Sequence, residues 1–133
     1  MTKKIIIGFI CIFFSSMWVL GGNAHADDYR FENPDEAALV ELATCLTEKG
    51  WVMYGSITCS ACRAQRKAFG KAFSHIKEIE CNPHAPNTQV ELCLERKIKK
   101  TPTWIMERDG KEIKRIEGYQ LLENLAPLSG CGS

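Results

Sequence analysis

The chain has 133 residues, which is the size of one domain that can bury a modest hydrophobic core. Its 17 basic residues nearly balance its 16 acidic residues, so the formal net charge is only +1. This balance argues against nucleic acid or an anionic membrane surface as the main partner.

The first 26 residues have the pattern of a secretory signal peptide. Two lysines precede a largely apolar stretch over residues 5–20, and Ala24-His25-Ala26 is a small-x-small cleavage site. Serines interrupt this stretch, and it is shorter than the roughly 20 residues of a membrane-spanning helix, so an uncleaved anchor is the less favoured alternative. We expect cleavage after Ala26, a mature domain over residues 27–133 and a periplasmic or secreted location. Because both lysines leave with the signal, the mature net charge would be near −1.

Cysteine use indicates an oxidising environment. Of the seven cysteines, Cys11 would leave with the signal peptide. An even number would remain in a small exported domain, which is typical of disulfide bonding. The six are Cys45, Cys59, Cys62, Cys81, Cys93 and Cys131.

The N-terminal half of the mature domain predicts a helix, a strand and a second helix. Asn33-Pro34-Asp35-Glu36 is a helix start with asparagine as its cap and proline in the first turn, and Gly50 ends that helix. The apolar run Trp51–Ser56 predicts a buried central strand. An amphipathic helical pattern follows over Ser60–His75. Its basic residues, expected to face solvent, are Arg63, Arg66, Lys67 and Lys71.

The C-terminal half predicts a strand over Ile76–Cys81, then a loop and a third helix. The buried face of that helix would carry Val90, Cys93, Leu94 and Ile98. Thr101-Pro102 precedes a hairpin of two strands, Thr103–Glu107 and Glu112–Glu117, joined by Asp109-Gly110. A last helix, Gln120–Ala126, would stop at Pro127. This order predicts an α/β fold, a small mixed sheet with helices on both faces, in which helix-joined strands are parallel neighbours.

Cys59-Ser60-Ala61-Cys62 lies between a predicted strand and a predicted helix. Cys59 would therefore lie at a helix N-terminus, where free backbone N–H groups and the helix dipole favour a thiolate. A thiolate attacks disulfides and a thiol does not. We expect a redox-active dithiol, with Cys59 as the nucleophile and Cys62 as the resolving thiol, in preference to a purely structural short disulfide.

Three features of the sequence resemble the thioredoxin fold: Cys59-Ser60-Ala61-Cys62 after a strand, Thr101-Pro102-Thr103 before a hairpin, and the order of elements. The separation of 40 residues between Cys62 and Pro102 is similar to that in this family. The resemblance implies a cis bond before Pro102 and a substrate groove to which Thr101 offers backbone groups. Met53 stands where thioredoxins place a buried carboxylate.

Several separated segments resemble a narrower branch, the thioredoxin-like domain fused to bacterial vitamin K epoxide reductase homologues. They are Met53-Tyr54-Gly55, Cys59-x-x-Cys62-x-x-Gln65-x-x-x-Phe69-Gly70, Ile79-Glu80-Cys81, Glu91-Leu92-Cys93 and Thr101-Pro102-Thr103-Trp104. The resemblance implies a disulfide between Cys81 and Cys93. It also implies a free-standing relay that works with a quinone-linked membrane partner of the vitamin K epoxide reductase type, and we expect it to act in the oxidising direction.

The remaining cysteines leave alternatives open. A Cys81–Cys93 disulfide could be structural, which we favour, or a second redox relay. Cys45 and Cys131 could pair, but four cysteines allow three connectivities and the sequence does not choose among them. Cys59-x-x-Cys62 followed by Cys81-x-x-His84 also has a spacing that could bind zinc.

These patterns predict an exported thiol–disulfide oxidoreductase that exchanges disulfides with cysteine-containing exported proteins. It would need no metal or organic cofactor, because the dithiol itself is the redox centre. The alternatives are a periplasmic disulfide reductase or isomerase, a zinc-stabilised binding module, and a redox-inert thioredoxin-like adaptor.

Overall fold

A computed structural model describes residues 34–132, so the predicted signal peptide lies outside the described residues. The order of helices and strands agrees with the order predicted from the sequence. Within residues 34–132 no helix combines the length and the apolar character needed to cross a membrane. The helices are α1 (Glu36–Glu48), α2 (Ser60–Phe69), α3 (Val90–Glu95) and α4 (Leu122–Ser129), with a 3-10 helix (Gly70–His75) after α2. The strands are β1 (Trp51–Gly55), β2 (Lys77–Glu80), β3 (Thr103–Arg108) and β4 (Lys111–Glu117).

The four strands form one mixed sheet in the order β2-β1-β3-β4. β1 runs parallel to β2, while β3 runs antiparallel to both β1 and β4. The prediction that helix-joined strands are parallel is therefore right for β1 and β2 but wrong for β3. The reason is that α3 has only six residues, and β3 starts with Thr103 beside Tyr54, at the edge where β1 and β2 end.

Side chains from the sheet alternate between two apolar clusters, one on each face. The larger cluster packs α1, α2 and α4 against one face, and it includes Met53, Trp104 and Phe69. The smaller cluster lies under α3 on the other face, and its buried members are Val52, Tyr54, Ile79, Cys93 and Ile105. Every residue of β1 is buried, as expected for a central strand.

The ends of the first two helices differ from the prediction. Asp35 caps α1 in place of Asn33, because its Oδ1 accepts the N–H of Ala38 at 2.8 Å. The predicted second helix breaks at Gly70, whose φ of +55° no longer continues α2, and the chain goes on as the 3-10 helix. Gly50, with a φ of +84°, follows α1 as predicted.

The last two helices also differ from the prediction. Leu94 is exposed rather than buried, and Ile98 lies beyond the end of α3. Pro127 does not stop α4, which continues through it to Ser129. The helix ends instead at Gly130, whose φ is +76°, and the indole N–H of Trp51 donates to the Ser129 carbonyl at 3.2 Å.

Candidate active site

A tight turn after β1 brings Cys59 to the N-cap position of α2, just before its first residue, Ser60. The Cys59 N–H donates to the Ser56 carbonyl at 3.2 Å, and the Thr58 N–H donates to Ser56 Oγ at 3.2 Å. Cys59 itself is the N-cap of α2, with Sγ accepting the backbone N–H of Cys62 at 3.2 Å. The sulfur therefore takes the place that a serine or aspartate oxygen takes at other helix starts.

This position favours the thiolate of Cys59. Partial burial opposes ionisation, but hydrogen bonds from the Cys62 and Thr101 side chains and from the backbone N–H groups of Cys62 and Ala61 outweigh it. The pKa of Cys59 consequently lies below its ordinary value. Since the side chain is only partly buried, the thiolate is open to a partner disulfide.

Cys62 has the opposite character. Its side chain is completely buried, and burial, followed by the hydrogen bond with Cys59, raises the pKa of its thiol to about 11. The two thiols of one Cys-x-x-Cys motif are thus a partly exposed, acidic sulfur and a buried, weakly acidic sulfur. Such an asymmetry suits Cys59 to attack a partner disulfide and Cys62 to attack the mixed disulfide that results.

The loop before β3 lies against Cys59, as the resemblance to the thioredoxin fold implies for Thr101 and Pro102. The Cys59 thiol donates to the Thr101 carbonyl at 3.2 Å, and the Thr101–Pro102 peptide bond is cis. The Pro102 carbonyl accepts the N–H of Gly118 at 2.7 Å, which joins this loop to the chain after β4. The four residues predicted for the site therefore lie together, although two come from the start of α2 and two from the loop before β3.

Gln65 is a buried polar residue next to the site whose role the sequence patterns do not reveal. It lies three residues after Cys62 on the buried face of α2 and has no exposed surface. Its amide donates to the Gln120 carbonyl at 3.0 Å and accepts the Gln120 N–H at 2.8 Å. In the sequence, only its spacing of three residues from Cys62 indicates that Gln65 lies near the site.

The prediction that the basic side chains of this helix face solvent is wrong for Arg66. Its guanidinium forms two hydrogen bonds with the Glu78 carboxylate of β2, and both side chains are about three-quarters buried. Gly55 makes room for this pair, because a Cβ there would lie 2.5 Å from Glu78 Oε1. The exposed histidines, His75 and His84, do agree with the prediction.

A second carboxylate from β2 holds the loop before Cys59. Glu80 Oε2 accepts the N–H of Ile57 at 2.9 Å, and Oε1 accepts the N–H of Asn82 at 2.7 Å. A cavity of about 320 Å³ adjoins this bridge. The cavity is lined by Ile57, Glu78, Glu80, Ala85, Pro86, Asn87 and Gln89.

Within residues 34–132, the other four cysteines form two disulfides, and neither includes the dithiol. Cys81 is bonded to Cys93, and Cys45 to Cys131, while Cys59 and Cys62 are free thiols. The Cys81–Cys93 bond closes the segment that lines one side of the cavity. Because Cys81 is used in this bond, the zinc alternative loses one of its thiolate ligands. No group of three potential metal ligands is found within residues 34–132.

The strand order, the Cys-x-x-Cys at the start of α2 and the cis proline opposite it define a thioredoxin-like α/β fold. No protein-family model matches the sequence. Thiol-disulfide oxidoreductase LTO1 of Arabidopsis thaliana is 32% identical over 95 residues, which are 68% of this chain and 24% of that protein. The chain thus spans about a quarter of the length of that relative.

Solved thioredoxin structures also resemble this chain at low identity. Thioredoxin f2 of Chlamydomonas reinhardtii is 17% identical, with 62% of this chain and 77% of that chain covered and a TM-score of 0.47. Fasciola hepatica thioredoxin is 21% identical, with 73% and 93% covered and a TM-score of 0.46. Thioredoxin NaTrxh of Nicotiana alata is 12% identical, with 71% and 84% covered and a TM-score of 0.46.

Proposed function

We propose that this protein is a thiol–disulfide oxidoreductase with Cys59 as its nucleophile and Cys62 as its resolving thiol. The observation that carries this proposal is the difference between the two thiols, since Cys59 is partly exposed with a lowered pKa and Cys62 is buried with a raised one. The name of the relative LTO1 agrees with this activity.

The exchange begins when the Cys59 thiolate attacks one sulfur of a partner disulfide. The new bond joins Cys59 to that sulfur, the partner's disulfide bond breaks, and its second sulfur leaves as a thiolate that takes up a proton. Cys62 then loses its proton and attacks Cys59, which forms the Cys59–Cys62 disulfide and releases the partner as a dithiol. Two electrons pass from this protein to its partner, and the reverse sequence oxidises a partner dithiol.

The Thr101 carbonyl lies beside the reacting sulfur and is suited to bind a partner's backbone. It accepts a hydrogen bond from the Cys59 thiol at 3.2 Å. When Cys59 forms a mixed disulfide this donor is lost, and a backbone N–H of the bound partner can take its place. Thr101 and Pro102 are therefore proposed as the substrate groove.

The proposed direction is oxidation of cysteine-containing exported proteins, with a quinone-linked membrane partner of the vitamin K epoxide reductase type accepting the electrons. Stabilising the reduced form of a dithiol makes its disulfide a stronger oxidant, and the lowered pKa of Cys59 supplies such stabilisation. A periplasmic or secreted location and a cleaved signal peptide over residues 1–26 belong to the same proposal.

Mixed-disulfide trapping tests the assigned roles. Cys62→Ser should accumulate disulfide-linked partners through Cys59, because the resolving thiol is missing, and Cys59→Ser is the matched control that should trap none. Non-reducing electrophoresis followed by mass spectrometry identifies the trapped cysteines. If the Cys59→Ser variant traps partners and the Cys62→Ser variant does not, the roles are assigned the wrong way round.

The direction is tested by the redox state of Cys59 and Cys62 in the cell. Acid quenching followed by alkylation should find the pair mostly oxidised if the protein donates disulfides. A mostly reduced pair, maintained by an electron donor, would identify a reductase or isomerase instead.

A further inference from the structure

Cys62 must lose its proton to complete the exchange, yet β1 offers no ionisable group beneath it. The two β1 residues that face α2 near this point are Met53 and Gly55. On the adjacent strand, the ionisable residue Glu78 lies beside Met53 in the register of β1 and β2. Glu78 is bound to Arg66 of α2.

Arg66 lies one helical turn after Cys62 on the same side of α2. Residues four apart in a helix have Cβ atoms about 5–6 Å apart, and helical side chains lean toward the helix N-terminus, which directs the Arg66 side chain toward Cys62. The pKa of Arg66 is raised, first by its hydrogen bond with Glu78 and to a smaller extent by the negative charge of an ionised Cys62. Burial and the hydrogen bond with Cys59 dominate the pKa of Cys62, so the guanidinium adds a smaller influence on this thiol.

We propose that the Arg66–Glu78 pair controls how readily Cys62 resolves a mixed disulfide. The positive charge of the Arg66 guanidinium favours the Cys62 thiolate. The Glu78 carboxylate holds that guanidinium in place, and its negative charge offsets part of the positive charge that acts on Cys62. Both are positioning residues, since neither touches the substrate sulfur. The inference rests on the proposed thiol–disulfide exchange and adds to it the group that controls its second step.

The surroundings of Cys62 contain few other charges that could have this effect. The Glu80 carboxylate is occupied by the N–H groups of Ile57 and Asn82, and Arg63 donates to the Thr58 carbonyl at 3.2 Å. The loop before Pro102 contributes the uncharged Thr101. Ionisable groups on the elements around Cys62 include Cys59, Arg63 and Arg66 from α2 and its cap, and Glu78 and Glu80 from β2; the charge of Glu80 also raises the pKa of Arg66, to a smaller extent than Glu78 does. Of these, only Arg66 and Glu78 form an ion pair with each other.

The two partners of the pair should have opposite effects on the second step. In Arg66→Met the Glu78 carboxylate remains and opposes the Cys62 thiolate. In Glu78→Gln the Arg66 guanidinium remains with its full charge and favours that thiolate. The pair is about three-quarters buried, so solvent screens these effects less than it would at the surface.

The test is a single-turnover reaction of the reduced protein with excess oxidised glutathione. Cys59 first forms a mixed disulfide with glutathione, and the rate at which Cys62 closes the Cys59–Cys62 disulfide is followed as a function of pH. Arg66→Met should shift the pH profile of closure upward by about half a unit, a threefold loss of rate below the midpoint, and Glu78→Gln should shift it downward by a similar amount. The double variant should lie between the two single variants.

Arg96 and Glu107 provide a matched control pair. They form an ion pair at 2.9 Å with side chains 19% and 20% exposed, at the opposite end of β3 from Pro102. Arg96→Met and Glu107→Gln should lower stability without moving the pH profile of closure. If Arg66→Met does not fold, Arg66→Lys should keep the wild-type profile, and Glu78→Gln alone decides the sign.

Shifts of Arg66→Met and Glu78→Gln in the same direction, or no shift in either, would overturn this inference while leaving the oxidoreductase intact. Equal shifts in the control pair would overturn it as well. If the wild-type protein does not close the disulfide at any pH, the proposed function fails, and the inference fails with it.

Discussion

The side-chain amide of Gln65 joins α2 to the chain before α4 through two hydrogen bonds with the backbone of Gln120. The distances are 3.0 Å and 2.8 Å, and they connect residues 55 positions apart. Two residues before Gln120, the Gly118 N–H donates to the Pro102 carbonyl. The helix that carries the dithiol and the loop that carries Pro102 are therefore fixed to the same short segment.

Replacing Gln65 should destabilise the protein even with a side chain of similar size. Gln65→Leu leaves the Gln120 N–H and carbonyl without these partners in a partly buried position, which costs about 1–3 kcal/mol of unfolding free energy. Urea denaturation measures this difference. Gln89 is exposed, so Gln89→Leu is the matched control and should change stability by less than about 0.5 kcal/mol. Equal losses in both variants would contradict the role given to Gln65.

Alkylation of the reduced protein should distinguish the two thiols by pH. Because the pKa of Cys59 is lowered, its reaction with iodoacetamide should reach half of its maximal rate below pH 9.0, the ordinary value. Cys62, with a pKa near 11 and a buried side chain, should stay unmodified at neutral pH. Peptide mass spectrometry after timed quenching measures both rates. Faster labelling of Cys62 than of Cys59 at pH 7 would refute the assignment.

The same shifts determine how the stability of the reduced form changes with pH. The contribution of Cys59 is complete above the ordinary value of 9.0 and is lost as the pH falls through its lower folded pKa. The contribution of Cys62 has the opposite sign, since it is complete below 9.0 and is lost as the pH rises toward about 11. Raising the pH from neutral should therefore first stabilise and then destabilise the reduced protein, while the oxidised protein lacks both effects.

The two disulfides outside the dithiol should differ in how much they stabilise the fold. The Cys45–Cys131 bond spans 86 residues and the Cys81–Cys93 bond spans 12. Loop entropy predicts that replacing both cysteines by serine costs about 4.6 kcal/mol for the longer loop and about 3 kcal/mol for the shorter one. Denaturant unfolding of the two double variants, with Cys59 and Cys62 kept oxidised, tests this order.

The Cys81–Cys93 variant also tests whether that disulfide is structural or a redox relay. Cys93 is buried, which limits access by an attacking thiolate. A structural bond predicts that the folded Cys81→Ser/Cys93→Ser variant still exchanges disulfides through Cys59. Loss of turnover in a variant that remains folded would instead indicate a relay.

Much of the fold could be predicted because its signals are local. The apolar run of β1, the Asp109-Gly110 turn and the even set of cysteines each reflect neighbouring residues or covalent chemistry. The placement of Thr101 and Pro102 against Cys59 was predicted from the resemblance to thioredoxins. The direction of β3 was not predictable from local signals, because it depends on where the six-residue α3 places the start of that strand.

The polar residues around the site could not be predicted, because helical patterns assign polar side chains to solvent by default. Gln65 and Arg66 are both polar, yet each meets a partner from a distant part of the chain. Only the packing of α2 against the sheet shows that these side chains are largely buried. Sequence patterns therefore located the reacting sulfurs, and the structure was needed to find the groups that surround them.

Glu80 holds the loop before Cys59, and its removal should loosen that loop without unfolding the protein. Its carboxylate accepts the N–H groups of Ile57 and Asn82 at 2.9 Å and 2.7 Å, so Glu80→Ala leaves both donors without a partner. Amide hydrogen exchange should become at least about tenfold faster at Ile57 and Asn82, which corresponds to the loss of about 1.4 kcal/mol of protection. The His84 amide is an internal control, because it donates to the Asn82 side chain rather than to Glu80. Unchanged exchange at Ile57 would show that the turn after β1 holds its shape without Glu80.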